Sequence, residues 1–402
     1  MRQTEPFPKR VALFSTRHFG WRGLLALCVL LPMLALAETL PTPDSFAVRN
    51  RSFMPAVGNI RAVMIFVDFS SLPAGLQRTE ASSANLLGNG RFNDLFYRHS
   101  QAKLALHVEA VHGWRRMPLP VEAYKSAKKE GAFTNLNTLL LFIKDVRKLF
   151  PDVDFARYPI VYIVSPNSTV YRRSQTASYA ALTQWLGERS GESLDKLRNI
   201  VSIAGSAQSQ RRPWMSLAHE TAHVFGLPDL YIGKRLHKGK PWRIVWDLME
   251  DIYRANGFVG WHSYMLGWLD RKRVVMPRPG THTEYLLTPI RSGAGLGMLL
   301  LPLAKRPEKY LVIEIAEPIT PLHHWEGLEP WGAGVLAYTV RRLPGAKRWQ
   351  LDVYPVPRAP PPFNAYFTPP QRVGSVLIDP NGRFRVSVNG RVGEAWRVEV
   401  KR

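Results

Sequence analysis

Apolar positions recur along this chain with two different spacings, and the change from one to the other divides it. NIRAVMIFVDF, residues 59–69, is β-branched and almost wholly apolar. Such a run predicts a strand covered on both faces. Phe92 to Ser100 has a helical pattern, and LALHVEAVHGW, Leu104 to Trp114, partly alternates and predicts another strand. In TNLNTLLLFIKDVRKLF, Leu136, Leu139, Leu140, Ile143, Val146 and Phe150 mark one helical face. Thr134 or Asn135 can cap its start, and Pro151 stops it. Pro159 to Ser165 predicts a short strand, Ala180 to Glu188 a helix, and Asn199 to Gly205 a strand. The next helix opens at Pro213, suited to a first helical turn, and ends at Gly226. Trp214, Leu217, Thr221, Val224 and Phe225 give it an apolar side.

After about residue 275 the spacing shortens. EYLLTPI, GMLLLPL, KYLVIEIAE, GVLAYTV and RWQLDVYPV are short apolar runs between turns, interrupted by the Pro-rich PVPRAPPPFNAYFTPP. Asn381-Gly382 and Asn389-Gly390 are hairpin signals in the tail. The predicted architecture is an α/β (α+β) domain over 59–274 with a mixed twisted sheet. A smaller β-rich C-terminal domain over 275–402 follows it.

The start of the chain changes the picture of where it works. Arg2, Lys9, Arg10, Arg17 and Arg22 precede the apolar run Leu24–Ala37, which ends in Ala35-Leu36-Ala37. This is the layout of a cleaved signal peptide over 1–37. An uncleaved anchor is the competing reading, but the run is short and contains Pro32, whereas a spanning helix needs ~20 apolar residues. Residues 38–58 read as a linker or short pro-segment. The expected location is therefore outside the cytoplasm, extracellular or periplasmic. The only cysteine, Cys28, lies inside the leader. The mature chain would have neither disulfides nor thiolate chemistry.

The formal net charge is +23, and removing the leader's five basic residues and one acidic residue leaves +19. Such a balance favours anionic partners, cell-surface polymers among them. The basic residues are scattered pairs, such as Arg172-Arg173, Arg211-Arg212 and Arg341-Arg342, plus the cluster Gly233–Arg243. No nucleic-acid-binding motif accompanies them, so no specific nucleic acid is expected.

The chemistry concentrates in SLAHETAHVFGLPDLY, Ser216–Tyr231. Residues i and i+4 of a helix share a face, so His219 and His223 can meet one divalent ion. Zinc suits two neutral imidazoles with a carboxylate. Glu220 is poorly placed as a ligand and well placed as a general base. Gly226 can take positive φ and turn the chain back, so that Asp229 brings a carboxylate to the same point. The structural alternative is an amphipathic helix with two buried, hydrogen-bonded histidines. Downstream, Met249 follows His223 by 26 residues within Trp246-Asp247-Leu248-Met249. It can form an apolar floor under the ligands, or be an ordinary core methionine.

HETAHVFGLPDLY, followed by WDLME and GWHSYMLGWL, resembles the immune inhibitor A-like secreted metallopeptidases, cowrin-type relatives of the metzincins. NIRAVMIFVDF, DLFYRHSQAKLALHVEAVHGW, KYLVIEIAE and GAGVLAYTVRR also resemble stretches of that family. The resemblance covers most of 59–345 and is specific around 216–268. It implies a zincin-like catalytic domain and a zinc-dependent endopeptidase acting on proteins or peptides. His219, His223 and Asp229 carry over as ligands, Glu220 as general base and Met249 as the floor. Glu250 is a rival third ligand, placed as in thermolysin-like enzymes. The chain departs from the family in Glu250-Asp251, where small residues are usual, and in lacking a long pro-region and adhesion-type domains. Tyr253, His262 and Tyr264 are candidate donors to the oxyanion of the transition state.

Against the enzyme stands a second expectation, an inactive peptidase-like module that binds anionic envelope polymers. The intact Glu220 argues against it. A nucleic-acid hydrolase would rest on charge alone. Calcium has no supporting loop in the sequence, and nothing in the sequence bears on oligomeric state.

Overall fold

The computed structural model describes residues 40–41, 53–124, 136–167, 179–182, 199–230, 244–305, 308–316, 333–342, 349–353 and 370–402. The expected leader, the caps Thr134 and Asn135, the pair Arg172-Arg173, the cluster 233–243 and nearly all of the Pro-rich loop lie outside them. By its contacts the chain divides into residues 1–39 and 40–402. The second of these units is a mixed α/β structure, with three sheets among the described residues.

The first sheet has the order β2-β1-β3-β5-β4, with β1 Gly58–Asp68, β2 Leu104–Arg116, β3 Ile160–Val164, β4 Tyr179–Leu182 and β5 Asn199–Ile203. β1 pairs in parallel with β2 and β3, and β3 pairs in parallel with β5. β4 runs antiparallel on the edge. The apolar run of β1 has the expected cause. Ala62, Met64 and Phe66 enter one core with helices α1 (Thr79–Leu87), α2 (Arg91–His99) and the long helix Pro213–Val224. Val63, Ile65 and Val67 enter a second core with Leu139, Leu140, Ile143 and Val146 of α3 (Leu136–Leu149). Each of these larger side chains contributes about 1.5–3 kcal/mol of burial.

Two local expectations give way. Tyr179–Leu182 is a strand paired to β5, where a helix was expected from Ala180. The Ala-Ala-Leu propensity is weak beside a free sheet edge; residues 183–188 lie outside the described set. Helix α1 has no apolar stripe to announce it, because its buried face is Thr79, Ser82, Ser83 and Leu86.

A single helical turn, α4 (Gly205–Gln208), leads into α5 (Pro213–Val224). Pro213 stands in its first turn. α6 (Gly260–Met265) comes after the site loop.

The second sheet has the order β11-β10-β9-β8-β6, and the third β12-β13-β14-β7. Their strands are β6 Val274–Val275, β7 His282–Leu287, β8 Met298–Lys305, β9 Glu308–Ala316, β10 Gly334–Arg342, β11 Trp349–Val353, β12 Val376–Ile378, β13 Arg385–Val392 and β14 Ala395–Lys401. In the second sheet, the described residues of β8, β9 and β10 are buried on both faces over most of their length. Met298, Leu300, Val312, Leu336 and Tyr338 pack against Trp261, Tyr264 and Met265 of α6. Leu299, Leu301, Leu311 and Ile313 pack against Val386, Trp396 and Val398 of the third sheet. Asn381-Gly382 lies between β12 and β13 as expected. Asn389-Gly390 does not make the next hairpin turn. It falls inside β13 at a register shift, and Gly393-Glu394 joins Val392 to Ala395. The extra residue is absorbed as a bulge, which keeps Val386 and Val388 facing the core. Among the described residues no helix is long and apolar enough to cross a membrane.

Candidate metal centre

α5 is fixed to the sheet before it presents anything. Thr221 Oγ1 donates to the Leu217 carbonyl at 2.6 Å and lies 3.1 Å from the Tyr162 hydroxyl. The helix then stops in a Schellman arrangement. Gly226 N–H donates to the His223 carbonyl at 3.0 Å, and Leu227 N–H to the Ala222 carbonyl at 3.2 Å. Gly226 has φ 98°, a conformation that a side chain would strain.

This stop does two things. The Leu227 carbonyl returns to accept a bond from His223 Nδ1 at 2.7 Å. Two residues later, the Asp229 carboxylate lies between the imidazoles. Asp229 Oδ1 is 3.0 Å from His219 Nε2 and 3.3 Å from His223 Nε2. On the other side, His219 Nδ1 meets the Leu248 carbonyl at 3.0 Å. His219, His223 and Asp229 thus form a group that could hold a metal ion.

A backbone carbonyl can only accept, so each Nδ1 carries the proton. Each Nε2 then faces the Asp229 carboxylate, the histidines donating to it or, with a metal ion bound, sharing that ion with it. Two imidazole nitrogens and a carboxylate oxygen meeting at one point could hold a metal ion. A tetrahedral ion with donors at ~2.0–2.2 Å holds them roughly 3.3–3.5 Å apart. The 3.0 and 3.3 Å between Asp229 and the two imidazoles are close to that, so the donor set could hold such an ion.

The ionisation of the site obeys the same geometry. Burial alone would raise the Asp229 carboxyl, but hydrogen bonds from His219 and His223 outweigh it and hold the group well below the carboxylate range. Burial would lower His223, and Asp229 reverses this and raises it. Glu220, beside His219 and half-buried, is pushed up by burial. The histidines pull the other way, and Asp229 adds to the rise.

Met249 is fully buried, in the core that contains Leu217, Ala218 and Ala222 of α5. Its carbonyl accepts from Leu230 N–H at 3.0 Å. Glu250 is buried with its N–H on the Asp247 carbonyl at 3.0 Å, and it does not belong to the converging group. Tyr253 is 51% exposed. His262 and Tyr264 are not available as open donors, because both are buried and engaged. His262 Nδ1 meets Asp247 Oδ2 at 2.8 Å, and Tyr264 donates to the Pro41 carbonyl at 2.7 Å. Sequence reasoning passed over Asp247 and the carbonyls of Leu227 and Leu248. Asp247 had a signal: an aspartate often accepts the N–H two residues on, and Met249 N–H is on Asp247 Oδ1 at 2.8 Å. The carbonyls had none, since every residue has one.

Among known proteins, no family model and no curated protein matches the chain.

Proposed function

We propose that this protein is an exported zinc-dependent endopeptidase that hydrolyses peptide bonds of proteins. The observation that carries the reading is the meeting of His219 Nε2, His223 Nε2 and Asp229 Oδ1, with Glu220 on the same helix. Zinc is the ion of choice for two imidazoles and a carboxylate.

His219, His223 and Asp229 would hold the ion, their tautomers and directions set by Leu248, Leu227 and the Gly226 stop. When bound, zinc polarises a peptide carbonyl and makes water easier to deprotonate. Glu220 takes the proton of the attacking water as oxygen bonds to the carbonyl carbon. As the C–N bond breaks, Glu220 passes that proton to the leaving nitrogen. Burial raises its carboxyl, the direction that favours holding the proton between the two steps. Tyr253 is the one of the three oxyanion candidates with an exposed side chain.

The test combines metal analysis with casein cleavage. Wild type is expected to hold close to one zinc and to cleave. His219→Ala is expected to lose the zinc, and Glu220→Gln to keep it while losing most of the cleavage. Undiminished cleavage by Glu220→Gln with zinc bound would remove the general-base role. Salt-sensitive binding to anionic envelope polymers without proteolysis would favour the inactive-module reading.

A further inference from the structure

Two of the three converging groups are held from one turn. The Leu248 carbonyl fixes His219 Nδ1 at 3.0 Å, and the Met249 carbonyl fixes Leu230 N–H, next to Asp229, at 3.0 Å. The shape of this turn therefore reaches the imidazole of His219 and the loop that carries Asp229. What gives the turn its shape is one carboxylate. Asp247 Oδ1 accepts Met249 N–H at 2.8 Å, while Asp247 Oδ2 accepts Val259 N–H and His262 Nδ1 at 2.8 Å each. Asp247 and His262 are both completely buried. Leu248 N–H adds a bond to the Gly257 carbonyl at 2.7 Å.

The far end of this arrangement is fixed as well. Gly260 N–H donates to Glu314 Oε2 at 2.6 Å, and Trp261 N–H donates to the Tyr338 hydroxyl at 3.0 Å. A Cβ on residue 260 would fall 2.0 Å from Glu314 Oε2, so only glycine admits this approach. Asp247 thus ties the turn to α6, which is itself tied to the second sheet. The remaining ring nitrogen of His262, Nε2, is buried without a hydrogen-bond partner. The imidazole spends its one good bond on Asp247.

We propose that Asp247 is the positioning residue of the metal centre. It touches neither ion nor substrate. Its carboxylate orders the Leu248 and Met249 carbonyls, which in turn aim His219 and the Asp229 loop. The inference rests on reading that centre as a metal site, but its first readout does not need the metal.

The experiment tracks the His219 Nδ1 proton by NMR in metal-free protein. The signal is assigned by its loss in His219→Ala and separated from the His262 proton by His262→Gln. In wild type it is expected to exchange slowly. In Asp247→Asn, which removes one acceptor, exchange is expected to be at least tenfold faster. Zinc affinity, measured by chelator competition, should fall about 10–100-fold. Asp251→Asn is the control, since Asp251 is also buried but holds Tyr253 and Arg254 N–H groups instead. It is expected to stay within twofold of wild type in both readouts. If Asp247→Asn also stays within twofold, or Asp251→Asn falls as far, the proposal is overturned. Should Asp247→Asn not fold, His262→Gln loosens the same carboxylate. Several-fold faster exchange of the His219 proton is then expected, and unchanged exchange overturns the proposal. A wild type that binds no zinc yet shows the exchange difference would sink the zinc peptidase reading and leave standing only the ordering of His219 by Asp247.

Discussion

Tyr162, in the middle of the first sheet, donates its hydroxyl to Thr221 Oγ1 across 3.1 Å. Thr221 has already given its own proton to the Leu217 carbonyl, so it can only accept. One hydrogen bond thereby joins β3 to α5 midway between His219 and His223. Tyr162→Phe is expected to cost about 1 kcal/mol of stability and to leave zinc affinity within twofold. Urea unfolding and chelator competition measure the two.

Zinc should stabilise the protein it binds. At a hundredfold excess over its Kd the gain is about 2.7 kcal/mol, visible as a higher thermal midpoint. Asp229→Ala removes the only carboxylate of the group and is expected to lose most of this gain. A midpoint raised by zinc equally in wild type and Asp229→Ala would place the ion elsewhere.

The stop after α5 depends on residue 226. Gly226→Ala puts a Cβ on a backbone with φ 98°, which costs on the order of 1–3 kcal/mol. The Leu227 carbonyl and Asp229 then lose their approach to the histidines. Zinc affinity is expected to fall with stability. Loss of stability with affinity intact would mean that the loop finds its place without this stop.

Glu314 gives the protein a pH dependence that ordinary carboxylates do not. Burial pushes its carboxyl up to about 8, against an ordinary 4.5, and Asp247 adds to the rise. Bonds from Gly260 and Tyr338 only partly oppose it. Between these values the folded protein keeps a proton that the unfolded chain has lost. The contribution is full below about pH 4.5, falls as pH rises to about 8, and is flat above, a loss of a few kcal/mol at most. Glu314→Gln keeps an acceptor for both donors and should flatten this slope. Denaturant unfolding at pH 5 and pH 8.5 would then show the variant gaining on wild type at the higher pH.

The strongest signals in the sequence were those with a period. β1, α3 and β9 announced themselves because each buries a regular face or two. The His219/His223 spacing was legible for the same reason, as two side chains one helical turn apart share a direction. Gly226 and Asp229 extended it because a positive φ and a reversal leave a local trace. The failures lie where tertiary context outweighed local preference. Ala180–Leu182 became a strand because β5 offered an edge. The serine-rich face of α1 carried no hydrophobic signal. His262 and Tyr264 were chosen for their chemistry alone, and only the packing of α6 shows that both are spoken for. Asp247 needed residues 259 and 262 folded back against it before its role could be seen.

The capping of α6 also limits how the gene could be cut. Val274-Val275 pairs with Met298-Leu299, so a break there splits a strand of the second sheet. It would also strip Gly260 and Trp261 of Glu314 and Tyr338. A shortened chain ending at that point would forfeit the outer buttress of the turn that carries Leu248 and Met249. The β-rich half therefore belongs to the working parts, and recombination or library design that treats it as an exchangeable accessory should yield chains that fold poorly around the histidines.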